Sequence, residues 1–170
     1  MTNIYLSKAT CKYFDFETIG QISPETAYWH WFAHVFELAG QKHLIIMEEQ
    51  SLYSVTVFMI EPDFKLCLDS FLVKATRQML ADKFTVAQIK LFEDLQDHTL
   101  AYPMPFKGRE MTIINHFIRR LEKVYYDTND PAKVKLYSEK TLNAMPQKTL
   151  GFATAAEHFK KQLSRFEPNV

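Results

Sequence analysis

The 170-residue sequence predicts an α+β fold: a small antiparallel sheet of about four to five strands covered by helices, with a helical C-terminal tail. Three observations carry this. The stretch from Trp31 to Phe58 reads as an antiparallel hairpin of apolar and alternating residues. Downstream of it, apolar residues recur at helical spacing in several separate segments. Hydrophobic residues make up 47% of the chain and aromatics 14%, which fills a core without cofactor or disulfides.

Taken in order, Ile4 to Ser7 is expected to be a short strand and Lys8 to Phe14 a short helix whose apolar side carries Cys11 and Phe14. Two patterns compete between Ser23 and Gly40. Ser23, Pro24 and Glu25 resemble a helix start and Gly40 a helix stop, whereas Trp29, Trp31, Ala33 and Val35 alternate with His30, Phe32, His34 and Phe36 as in a strand. A short helical turn followed by a strand from about Trp31 to Leu38 is expected, with a helix through the stretch, which would bring His30 and His34 together, the open alternative. Lys42 to Met47 and Leu52 to Ile60 are the next strands, joined by a turn at Glu48, Glu49, Gln50 and Ser51.

Pro62 and Asp63 open a long helix whose inner face is Phe64, Leu68, Phe71, Leu72, Ala75 and Met79. Thr85 and Gln88 form a capping box ahead of Ile89, Phe92 and Leu95, so a second helix begins there. Thr99 to Met104 is a strand ended by Pro103 and Pro105, and Gly108 to Tyr126 is an amphipathic helix carrying Ile114, Phe117, Leu121 and Val124. Asp, Asn and Pro cluster between Tyr125 and Pro131, which divides an α+β domain over 1–126 from a helical extension over 131–170 that packs on it. That extension ends in a helix with a Thr154–Glu157 capping box and an apolar face of Phe159, Leu163 and Phe166.

Lys plus Arg and Asp plus Glu both total 20, so no whole-chain field attracts nucleic acid or an anionic membrane. Cys11 and Cys67 lack metal or redox spacing and read as packing residues of a reducing compartment. No apolar run approaches the length of a membrane span, and the N-terminus lacks a signal peptide, so a cytoplasmic protein with no membrane partner is expected.

The hairpin residues resemble a known pattern. The motif WFAHVF at Trp31 to Phe36, Lys42 in the turn, LIIMEEQSLYSV at Leu44 to Val55, and Asn115 and Phe117 within KGREMTIINHF are similar to an uncharacterised prokaryotic domain-of-unknown-function family. Its members read W-H-A-[NH]-L, then L-[LI]-F-V-N-x-x-T-L-[YF], then N-R-S-V-L-G-S-M-N-D-F. The resemblance spans about Ile4 to Phe117. Glu48 stands where the pattern has Asn, and the Ser-Val-Leu-Gly-Ser run is lost. The resemblance implies an α+β fold with a small antiparallel sheet covered by helices, and no established activity. The tail LNAMPQKTLGFATAAEHF, Leu142 to Phe159, resembles the C-terminal end of insertion-sequence DDE transposases at ten positions. The strands that would carry their three metal-binding carboxylates are not found upstream.

Three clusters compete for a functional role. His30, His34 and His43, with Glu37, Glu48 and Glu49, have the chemistry of metal ligands, but on a strand His30 and His34 lie about 13 Å apart, so no metal site and no cofactor is expected. Arg109, Arg119, Arg120, Lys123, Lys148, Lys160 and Lys161, together with Lys133, Lys135, Lys140 and Arg165, could follow a phosphate backbone, although interspersed glutamates dilute their field. Tyr28, Trp29, Trp31 and Phe32 are the residue types of a protein-binding hot spot. No nucleophile elbow or glycine-rich phosphate loop appears among only four glycines, so no catalytic residue is assigned. The expectation is a non-enzymatic macromolecule-binding protein from a mobile element or phage, acting through a protein–protein interface, with homo-oligomerisation open to it. Nucleic-acid binding through the basic helix and tail is the alternative, and a hydrolase or nuclease with a dispersed site the second.

Overall fold

The computed structural model describes residues 2–16, 29–96, 99–103 and 108–166. Five strands form one sheet: β1 (Thr2–Leu6), β2 (Trp29–Leu38), β3 (Gln41–Glu48), β4 (Ser54–Val57) and β5 (Thr99–Pro103), in the order β4-β3-β2-β1-β5. Six helices accompany them: α1 (Lys8–Phe14), α2 (Phe64–Ala81), α3 (Val86–Gln96), α4 (Gly108–Thr128), α5 (Pro131–Lys140) and α6 (Ala155–Ser164). The fold is therefore α+β. Its sheet is mixed where a wholly antiparallel one was expected: β2, β3 and β4 are antiparallel, but β1 runs parallel to both β2 and β5. Parallel neighbours need a crossover rather than a tight turn, and α1 begins the one from β1 to β2. The expected helical turn ahead of β2, and Tyr28, lie outside the described residues.

The strand pattern holds from Trp29 through Leu38. Both of its phases are apolar because both faces of the sheet are covered. Trp29, Trp31, Ala33 and Val35 join a core with residues of α2, α3 and α6, while Phe32, Phe36 and Leu38 join a second core with α4 and α5. Gly40, which also fits a helix stop, is instead a hairpin residue. With Ala39 it makes a two-residue turn, both in the left-handed region at φ 54 and 73.

Strand β4 is shorter than its sequence suggests. Leu52 and Met59 take positive φ on either side of it, which ends the ladder at Ser54 and Val57. The caps behave as read: Asp63 Oδ1 accepts from Leu66 N–H at 3.0 Å, and Thr85 with Gln88 and Thr154 with Glu157 bond reciprocally. The Asp-Asn-Pro cluster is a much tighter joint than expected. Helix α4 continues to Thr128, and only Asn129 and Asp130 separate it from α5. Residues beyond this joint enter both cores, Val134 and Leu142 on one face and Ala155, Phe159 and Leu163 on the other. No described helix is long and apolar enough to cross a membrane.

Candidate functional site

Edge strand β4 is flanked by α2 on one face of the sheet and α5 on the other. Its first residue is capped by side chains. Ser54 N–H donates to Asn143 Oδ1 at 2.8 Å, and Ser54 C=O accepts from Asn143 Nδ2 at 2.8 Å and Gln78 Nε2 at 3.2 Å. The backbone of Ser54 therefore points away from β3. By the alternation of an antiparallel ladder, the N–H and C=O of Thr56 point the same way, along the open edge.

That edge opens into a cleft of about 600 Å³, lined by Val55 and Thr56 of the strand, Asp69, Ser70, Val73, Lys74, Arg77, Gln78 and Ala81 of α2, and Lys135, Glu139 and Lys140 of α5. Four cations thus face two carboxylates. None of the four forms an ion pair; the two recorded among the described residues, Lys42 with Glu37 and Lys123 with Asp127, lie elsewhere. Burial holds the Lys74 ammonium below its ordinary value, and Lys135 and Arg77 push it further down against the opposing pull of Glu139. Lys74 Nζ stands 6.0 Å from the centre of the Phe58 ring. Thr56 is only 4% exposed, and its Oγ1 is buried without a hydrogen-bond partner. A buried hydroxyl left unsatisfied costs about 1–3 kcal/mol. The cleft thus sets four cations and two carboxylates beside an unsatisfied hydroxyl and an open strand edge.

The residues singled out from sequence fall elsewhere. Trp29, Trp31 and Phe32 are 4%, 0% and 5% exposed and present no surface to a partner. Trp31 packs edge-on against Phe71 and Phe159, and Trp29 against Phe159. Arg109, Arg119, Arg120 and Lys123 lie on α4, on the opposite sheet face from Lys160 and Lys161 of α6, so the two groups do not form one patch. Arg120 is tied to His116 Nε2 and Met145 Sδ, Lys123 to Asp127, and Lys160 lies 5.1 Å over the Phe84 ring, while exposed Lys148 sits in a 3-10 turn.

His30, His34 and His43 each have a polar partner. His30 Nδ1 meets Tyr5 Oη at 2.9 Å, His34 Nδ1 meets Ser7 Oγ at 2.8 Å, and His43 is bonded through both ring nitrogens. Glu48 Oε2 is occupied by Gln50 N–H, Ser51 N–H and Ser51 Oγ, so this carboxylate shapes the turn after β3. Burial pushes its pKa up. Among the described residues, no three His, Cys, Asp or Glu side chains are grouped to hold a metal ion.

A family model described as Domain of unknown function (DUF6933) matches residues 3–158. The chain belongs to the DUF6933 family. The match takes in every residue lining the cleft, and all but the last residue of the transposase-like tail segment. No curated protein and no solved structure matches this DUF6933 chain. Within it, Lys135 and Lys140 were already visible as basic residues, but Thr56, Lys74 and Arg77 were not. The only linear hint is the i, i+3 spacing of Lys74 and Arg77 on one flank of α2. Nothing local couples them to Thr56 or to α5.

Proposed function

We propose that this protein works by binding rather than by catalysis, and that the cleft at the β4 edge receives a phosphate or similar compact polyanion carried by its ligand. The observation that carries this reading is the buried, unpartnered Thr56 hydroxyl beside a cleft whose Lys74, Arg77, Lys135 and Lys140 outnumber Asp69 and Glu139 and form no ion pair among the described residues. A volume near 600 Å³ suits a small ligand, since such sites commonly span about 300–1,000 Å³. An added β-strand fits less well. Ser54 is already capped by Asn143, which leaves one outward-facing residue of a four-residue strand for pairing.

Two features support a non-catalytic role. Both thiols are held protonated, Cys67 up to about 11, chiefly by burial with Asp63 and Glu61 adding to it. Glu48 and Asp82, the carboxylates whose pKa values are raised, are occupied by the turn and by Tyr53 respectively. Titration calorimetry with inorganic pyrophosphate at low ionic strength tests the proposal. Saturable binding that weakens as salt rises is expected, reduced about tenfold by Lys74→Ala or Thr56→Val and unchanged by Arg119→Ala on α4. No saturable heat at low salt sinks it. A salt-sensitive DNA or RNA gel shift abolished by Arg119→Ala, but not by Lys74→Ala, would move the function to α4 and nucleic acid.

A further inference from the structure

We propose that the outer face of α2 is a self-association surface, on which a second copy of this chain packs antiparallel about a twofold axis through Val73. Leu66, Val73 and Leu80 are 59%, 52% and 57% exposed, although each is a large apolar side chain. They follow one another at seven-residue intervals, which on an α-helix places them along one line with a drift of only about 20° per interval. The opposite side of the helix, with Cys67, Phe71, Ala75 and Met79, is buried in the core. Among the described residues, the stripe is therefore a second apolar line of the helix left more than half uncovered.

Charge decides what covers it. Asp69 and Arg77 stand four residues to either side of Val73, both exposed, and neither forms an ion pair among the described residues. In an antiparallel pair centred on Val73, Leu66 meets the partner's Leu80, Val73 meets the partner's Val73, and Asp69 meets the partner's Arg77. Each charge contact occurs twice. A parallel pair would set Asp69 against Asp69 and Arg77 against Arg77. Ser70 and Thr76, also equidistant from Val73, are small enough to let the two helices approach. Self-complementarity about a single residue is what a closed twofold interface requires, and an unrelated partner would have no need of it.

This surface shares a rim with the anion cleft. Lys74 is about 100° further round the helix than Val73, toward β4 and α5, whereas Asp69, Ser70, Val73 and Arg77 border both. The cleft is tested at Lys74 and Thr56, so failure of either proposal is distinguishable from failure of the other.

Sedimentation equilibrium of the full chain is the experiment. The expected average mass rises from 20.0 kDa toward twice that as protein concentration increases through the micromolar range. Val73→Glu should hold the protein at the monomer mass, with its circular dichroism unchanged because the position is half exposed. Asp69→Arg and Arg77→Asp should each raise the dissociation constant about tenfold or more, and the double swap should restore most of the affinity. A wild-type mass of 20.0 kDa at every concentration overturns the inference. So does a dimer that survives Val73→Glu, or a double variant as weak as either single one.

Discussion

His43 is 5% exposed, and its two ring nitrogens face partners of opposite kind. Nε2 lies 3.1 Å from the Leu38 carbonyl, which can only accept, and Nδ1 accepts the Met59 N–H at 2.9 Å. The ring is therefore the neutral Nε2–H tautomer, and a second proton would confront a donor. Burial holds its pKa below the ordinary value, with the Leu38 carbonyl opposing. The unfolded chain takes up its proton near pH ~6.5 and the folded chain only below that. His43 thus contributes stability that is complete above about pH 6.5 and is lost as the pH falls toward its folded value. His34 and His158 act in the same sense, while Glu48 and Asp82, held high, act in the opposite one. Comparison with a variant isolates the share of His43. His43→Asn should be less stable than wild type at pH 7.5 yet lose less on going to pH ~5.5, as read from urea midpoints at the two pH values. The residue type was visible in the sequence and its role was not, because its partners are the last residue of β2 and a residue just beyond β4, which no local pattern joins to His43.

At the scale of elements, periodicity and capping carried most of the reading. The inner face of α2 and the boxes opening α3 and α6 depend on residues three or four apart, and such contacts are written locally. What escaped depends on distant pairings. Strand β1 became parallel on both sides because its neighbours come from residues 29–33 and 99–103, a choice no local pattern records. The cleft likewise joins residues 55–56, 69–81 and 135–140. The burial of Trp29, Trp31 and Phe32 was hidden for a related reason. A strand covered on both faces buries both of its phases, so aromatic richness marked the core. One such distant contact is also a sharp test of the architecture. Asn143 reaches Ser54 across 89 residues and satisfies both its N–H and its C=O. Asn143→Ala should cost about 1–3 kcal/mol, seen as a lower urea midpoint with an unchanged slope.

For the molecule as a whole, the sheet is a partition between two cores, and α6 locks the one that holds Phe159. That ring is 1% exposed and packs against Trp29, Trp31, Tyr53, Phe84 and Phe92 at centroid distances of 5.0–6.3 Å. Phe159→Ala should cost about 3–5 kcal/mol, a large share of the roughly 5–15 kcal/mol that stabilises a domain, and should lower the melting temperature by several degrees or more. The same dependence has a consequence in time. Residues are added at ~5–20 per second, so the 89 that separate Ser54 from Asn143 take roughly 4–18 s to synthesise. Throughout that interval the outward-facing N–H of Ser54 lacks its Asn143 acceptor, which leaves this edge position open to pairing with a neighbouring nascent chain. Slower elongation between these two points lengthens the interval, so the yield of monomeric folded protein should depend on translation speed in that stretch more than elsewhere in the chain.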